Sequence, residues 1–166
     1  MKIYIGIDNG VTGSITVLQG NGILVTHLNT PVKHELGYQK SKAKMIHRID
    51  FNELLNLFRS INIPSDTPLA IVERPMVNSL MFQASISAVR ALEAMLIALE
   101  TARIPYMYID SKEWQGKLLP PGCNGKDALK LASDSLALRL YPGIKLLKKG
   151  NGDSVMIARY GVTEKL

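Results

Sequence analysis

Residues 3–18, Ile-Tyr-Ile-Gly-Ile-Asp-Asn-Gly-Val-Thr-Gly-Ser-Ile-Thr-Val-Leu, decide the fold. The stretch begins as an isoleucine-rich strand, a composition suited to a pleated, buried position. The apolar run stops at Asp8. Asn9, Gly10 and Gly13 then permit a tight reversal, because these residue types tolerate the backbone angles of a turn. Ser14 to Leu18 follows at once as a second strand. One carboxylate therefore sits at the mouth of a hairpin with little side-chain bulk around it, where a metal ion or a phosphate can approach. A lone Asp-x-Gly is equally the mark of an ordinary turn, so the rest of the chain must decide between the two.

Downstream, residues 19–22 form a turn and Ile23 to Leu28 a third strand, giving an antiparallel meander. Thr30-Pro31 ends it. Residues 32–48 carry Lys33, His34, Lys40, Lys42, Lys44, His47 and Arg48 with little apolar periodicity. They read as a solvated loop, or as a ragged strand pair presenting a basic face to nucleic acid. Asp50 caps an amphipathic helix over 51–60. Leu69-Ala-Ile-Val72 is a short apolar run of the kind found in a central strand buried on both faces. It ends in Glu73, and Arg74-Pro75 stops the pairing.

Residues 76–83 read as a loop with exposed apolar tips. The strongest helix signal covers 84–102, with Ile86, Val89, Leu92, Leu96 and Leu99 at helical intervals. Its apolar stripe is broad enough for the core on one side and a partner subunit on another. Met81 and Met95 read as packing residues. Ile104 to Ile109 is a strand ending at Asp110, which either caps a short helix over 111–116 or stands near the other acids. Residues 126–141 form a helix with Leu129, Ala132, Leu136 and Leu140 inward and Lys126, Lys130, Asp134 and Arg139 outward. Asp153 opens a last helix over 154–160.

The 166 residues fit one domain with a sizeable core. No apolar run approaches the roughly 20 residues of a membrane span. A single cysteine, Cys123, cannot form an internal disulfide, which fits a reducing, cytoplasmic setting. Twenty Lys and Arg against fourteen Asp and Glu give a net charge of +6, a balance that favours a polyanionic partner.

Acids stand at three element ends: Asp8, Glu73 and Asp153. If the first strand and the 69–72 strand are adjacent and parallel, Asp8 and Glu73 lie side by side at one sheet edge. A terminal helix across that edge brings in Asp153. Clustered carboxylates repel one another unless a cation joins them, and hard oxygen donors suit Mg²⁺ or Mn²⁺. Two such ions about 4 Å apart activate water and stabilise the leaving oxygen of a phosphodiester.

These features together, namely the strand-Asp-x-Gly hairpin at 3–18, the strand ending Glu73-Arg74-Pro75, the Ala-rich helix after it and Asp153-Ser-Val-Met-Ile-Ala-Arg-Tyr-Gly161, resemble RuvC-type Holliday junction resolvases. The compact versions carried by phages and some bacteria are the nearest in kind. The resemblance spans nearly the whole chain. It implies an α/β, ribonuclease H-like fold with a mixed five-stranded sheet flanked by helices. It also implies a homodimer, Mg²⁺ or Mn²⁺ dependence and hydrolytic cutting of four-way DNA, with Asp8, Glu73 and Asp153 as metal ligands. The family carries a further acid or a histidine just before the last aspartate. Here the segment is Lys149-Gly150-Asn151-Gly152, in which Asn151 offers only a carbonyl oxygen as a metal ligand.

Arg74, Lys112, Lys117, Lys126 and Lys130 are the basic residues best placed for phosphates. Phe82 or Met76 either wedges against unstacked bases or covers the first turn of the long helix. Three rival readings remain: a branched-DNA-binding module of the same fold with weakened catalysis, an RNA-directed nuclease, and a lobe of an actin-like or sugar-kinase ATPase. The last needs two such lobes, and the chain has room for one.

Overall fold

The structure, a computed structural model, describes residues 1–37, 45–61, 66–146 and 151–166. Strands β1 (Lys2–Asp8), β2 (Ser14–Gln19) and β3 (Leu24–Asn29) form the expected antiparallel meander. Strands β4 (Val32–Leu36) and β5 (Met45–Ile49) pair as a separate antiparallel hairpin. The basic segment is therefore a strand pair in its described part, and Lys40, Lys42 and Lys44 lie outside the described residues. Glu35 takes ion pairs from Lys33 at 3.0 Å and Arg48 at 2.7 Å, which weakens the basic face of this hairpin.

Helix α1 (Phe51–Ile61) begins as expected at Asp50, whose Oδ1 accepts from the N–H groups of Asn52 and Glu53. Strand β6 (Thr67–Glu73), helix α2 (Phe82–Thr101), strand β7 (Tyr106–Ile109) and helices α3 (Ser111–Leu118), α4 (Lys126–Leu140) and α5 (Gly152–Glu164) complete the order. The five-stranded sheet runs β3-β2-β1-β6-β7, with β1 parallel to β6 and β6 parallel to β7. This is the mixed sheet the sequence implies.

Alternation along β1 sorts the two faces. Ile3, Ile5 and Ile7 pack with Leu54 and Phe58 of α1 and with Met95 and Leu99 of α2. Tyr4 packs on the other face with Ile71, Trp114 of α3, Ala137 of α4 and Met156 of α5. Gly6 shares that second face, and a Cβ there would lie 2.2 Å from the Ser154 carbonyl oxygen and 2.3 Å from the Ala158 nitrogen. Helix α5 thus lies flush on β1, which only a residue without a side chain allows.

Helix α2 buries only the C-terminal part of its predicted stripe, with Leu99 in the core and Leu92 packed against it. Ala91, Met95, Ala98 and Leu99 are buried, whereas Ile86 and Val89 are exposed. Met81 is also exposed rather than packed. The segment Ser79–Thr101 is long and apolar enough to cross a membrane by length and composition, although Arg90 and Glu93 interrupt its apolar run. Its apolarity is divided between the core face and an uncovered outer face. On α4, Leu140 is exposed where the periodicity placed it inward. Lys130 and Asp134, read as outward, are partly covered.

Candidate active site

Parity and register place the first two acids. Asp8 follows Tyr4 and Gly6 on the α5 face of β1, and Glu73 follows Leu69 and Ile71 on the same face of β6. The parallel register aligns Ile7 with Val72, so the next residues, Asp8 and Glu73, end neighbouring strands side by side. Asp153 is the second residue of α5, at a helix N-terminus where the macrodipole favours negative charge.

Helix α4 fixes the start of α5. The Asp134 Oδ1 accepts from the Gly152 N–H at 2.9 Å. A Cβ at Gly152 would come within 2.8 Å of the Asp134 backbone, so the two helices meet at that glycine. The helix consequently begins two residues before the predicted start, capped by a side chain 18 positions upstream. Strand β2 holds the same turn from the other side. Ser14 Oγ donates to the Asn151 carbonyl at 3.1 Å and lies 2.8 Å from Ser154 Oγ, which is 2.8 Å from Thr16 Oγ1.

Asp8 feels both other acids, Glu73 feels Asp153, and Asp153 feels the neighbouring Asp134. Burial raises the proton affinity of Asp8 well above that of an ordinary aspartate, and the charges of Glu73 and Asp153 raise it further. Burial lifts Glu73 from 4.5 to about 7, with Asp153 adding to the rise. The Trp114 indole opposes that rise by donating its Nε1–H to Glu73 Oε1 at 3.0 Å. Burial raises Asp153 as well, against the Ser133 hydroxyl, which donates to Asp153 Oδ1. Lys130 lowers the proton affinity of all three.

Among the described residues, no three acid, imidazole or thiol groups close around one point as in a formed metal site. The three carboxylates are instead coupled through space, and two of them have one oxygen on a protein donor. Partly buried oxygen donors with raised proton affinity and one lysine among three acids fit a hard divalent cation. The residues present therefore suit Mg²⁺ or Mn²⁺.

The other candidates divide. Asn151 is buried at the start of α5, and its amide donates to Asn29 Oδ1 at the end of β3. Lys149 and Gly150 lie outside the described residues. Asp110 precedes α3 but makes no side-chain cap. It pairs instead with Arg74, whose Nη1 is 3.0 Å from Asp110 Oδ1 and whose guanidinium lies 5.3 Å from the Tyr108 ring centre. Lys112 and Lys126 are exposed, and Lys117 is 3.7 Å from Glu164. Lys130 stands out from this basic set, because its charge acts on the acids.

Phe82 is 63% exposed and Met76 82%, so Phe82 does not simply cover the first helical turn. The Asn78 side chain accepts from the Leu80 N–H, and Ser85 Oγ bonds the Asn78 backbone, so the apolar tip is held in place.

Trp114 and Ser133 escaped the sequence reading, and Asp134, read there as an outward residue, instead holds the start of α5. A serine at position 133, between the inward Ala132 and Leu136, is the one local signal that α4 faces something polar.

No family model matches the sequence, and no curated protein matches it. Among solved structures, the chain is similar to T. thermophilus RuvC in complex with Holliday junction substrate, with TM-score 0.64, 15% identity and coverage of 94% of this chain and 90% of that one. It is also similar to a second Thermus thermophilus RuvC structure, with TM-score 0.54, 12% identity and coverage of 98% and 96%. The chain has the ribonuclease H-like fold of these RuvC structures.

Proposed function

We propose that the protein is a divalent-metal-dependent DNA endonuclease that cuts four-way junctions. The observation that carries this reading is the placement of Asp8 and Glu73 at the ends of neighbouring parallel strands, β1 and β6, with Asp153 in the first turn of α5, which packs on β1. It occurs on a fold shared with a RuvC whose structure includes Holliday junction substrate. Asp8, Glu73 and Asp153 would hold Mg²⁺ or Mn²⁺. When bound, such ions activate water and stabilise the leaving oxygen of a phosphodiester. Lys130 moderates the repulsion among the acids. Arg74, Lys112, Lys117 and Lys126 supply cations for phosphates. Met76 and Phe82 offer an apolar surface, held in place by Asn78 and Ser85, for bases exposed at a junction.

A four-way junction has two-fold symmetry and takes two cuts, which fits a homodimer. Ile86, Val89 and Ile97, exposed along α2, supply an apolar face for its formation. The reading is tested with a synthetic four-way junction and a linear duplex of the same sequence, each with Mg²⁺, Mn²⁺ or chelator. The expected result is metal-dependent cutting of the junction and no cutting of the duplex. Metal-dependent binding or cutting of neither substrate would reject it, and junction binding without cutting would favour the catalytically weakened module.

A further inference from the structure

Glu73 meets the site with only one oxygen uncommitted by the tryptophan beside it. The chain has a single tryptophan, Trp114, which is fully buried. Its indole N–H is a donor only and cannot itself ligate a cation. That N–H points at Glu73 Oε1 from 3.0 Å. Leaving a buried N–H without a partner costs free energy, so the hydrogen bond resists being given up. A cation taking both carboxylate oxygens would have to share Oε1 with the indole proton and approach a like-signed dipole end.

Ser133, also fully buried, makes a similar arrangement at Asp153 by donating to Oδ1. Two of the three acids thus have one oxygen engaged by neighbours on α3 and α4.

Cations differ in what they ask of a carboxylate. Mg²⁺ holds near-ideal octahedral geometry and keeps several waters. Ca²⁺ takes six to eight oxygens and commonly uses carboxylates through both of theirs.

We propose that Trp114 is a positioning residue that makes Glu73 a one-oxygen ligand, and so biases the site toward small octahedral cations and against Ca²⁺. Ser133 acts in the same sense on Asp153. The inference rests on the metal-site reading above and names a determinant of its cation selectivity.

Replacing Trp114 with 3-benzothienylalanine keeps the bicyclic shape and substitutes sulfur for N–H. Because the chain has one tryptophan, the replacement touches one position. Binding is read by electron paramagnetic resonance of free Mn²⁺, with Mg²⁺ and Ca²⁺ as competitors, on the whole protein without DNA. Removing the N–H raises the proton affinity of Glu73, but protons compete with both cations alike, so the Ca²⁺/Mg²⁺ affinity ratio isolates the effect on ligation. A change in packing alone would move the thermal midpoint and leave the ratio in place.

The expected result is a Ca²⁺/Mg²⁺ affinity ratio about ten-fold higher than in the unmodified protein, the scale on which outer neighbours tune metal sites. If the substituted protein does not fold, Ser133→Ala carries the same test, with a rise in the same ratio expected. A ratio that stays constant in the variant that folds, with Mn²⁺ still bound, overturns the inference and leaves the nuclease reading standing. Absence of Mn²⁺ binding by the unmodified protein overturns both.

Discussion

Removing the Glu73 charge without removing its shape gives the sharpest test of the carboxylate cluster. In Glu73→Gln, the side-chain oxygen still accepts from the Trp114 N–H, but nothing ionises. Burial lifts the native carboxyl from 4.5 to about 7. A raised native pKa means that the neutral acid is favoured by folding. Its stability contribution is complete below the unfolded value and is lost as pH climbs through about 7. The rise is about 2.5 pH units, at about 1.4 kcal/mol each, so the fully ionised acid costs about 3 kcal/mol. Near pH 5 the cost is below about 1 kcal/mol.

In chelator, Glu73→Gln should therefore resemble the parent protein near pH 5 and exceed it near pH 8. At about 2–4 °C per kcal/mol, the gain in thermal midpoint at pH 8 is on the order of 6–12 °C. Thermal or urea unfolding at several pH values measures it. Added Mg²⁺ should raise the midpoint of the parent at pH 8 and leave that of the variant nearly unmoved. Parallel pH–stability curves for the two proteins in chelator would refute the argument, because they would mean that Glu73 sits in no more hostile a place than water.

Lys130→Met removes the cation that offsets all three acids. Its loss of stability in chelator should be larger near pH 8 than near pH 5, as pH-dependent unfolding will report. Gly6→Ala forces a methyl group into the Ser154 and Ala158 backbone. It should cost at least the 1–3 kcal/mol typical of overpacking, read as a lower urea midpoint. Asn151→Asp adds an acid two positions before Asp153 and should raise metal-dependent junction cutting. It should also lower stability in chelator, because the amide donation to Asn29 is removed; no gain in cutting by a folded variant would place Asn151 outside the ligand set. Neutralising Arg74, Lys112, Lys117 and Lys126 together should flatten the salt dependence of junction binding, by about 0.9 in log–log slope for each phosphate that the protein no longer neutralises.

The core of this fold was legible because it is written in local pattern. Alternation in Ile3, Ile5 and Ile7, the apolar run before Glu73 and the glycine turn after Asp8 each specify a strand end within a few residues. Parallel pairing of two such strands then puts Asp8 and Glu73 together through register alone. The setting of α2 was less legible, because an Ala- and Leu-rich helix has no sharp polar face to mark its rotation. Ala91 and Ala98 turn out to be core residues, while Ile86 and Val89 are left outside.

What the pattern hid is the support around the acids, and the reason is distance along the chain. Trp114 reaches Glu73 across 41 positions, and Ser133 reaches Asp153 across 20. Periodicity places a side chain on a face and says nothing of which polar atom it meets there. Lys130 illustrates the consequence. On a helical wheel it belongs with Lys126 as a solvated cation one turn away. In the folded chain its charge acts on Asp8, Glu73 and Asp153, while Lys126 is exposed. One turn of α4 thus separates a lysine suited to a DNA phosphate from a lysine whose charge partly offsets the effect of burial on the acids. The two should part in experiment: loss of Lys126 should alter the salt dependence of binding, and loss of Lys130 should alter the pH dependence of stability.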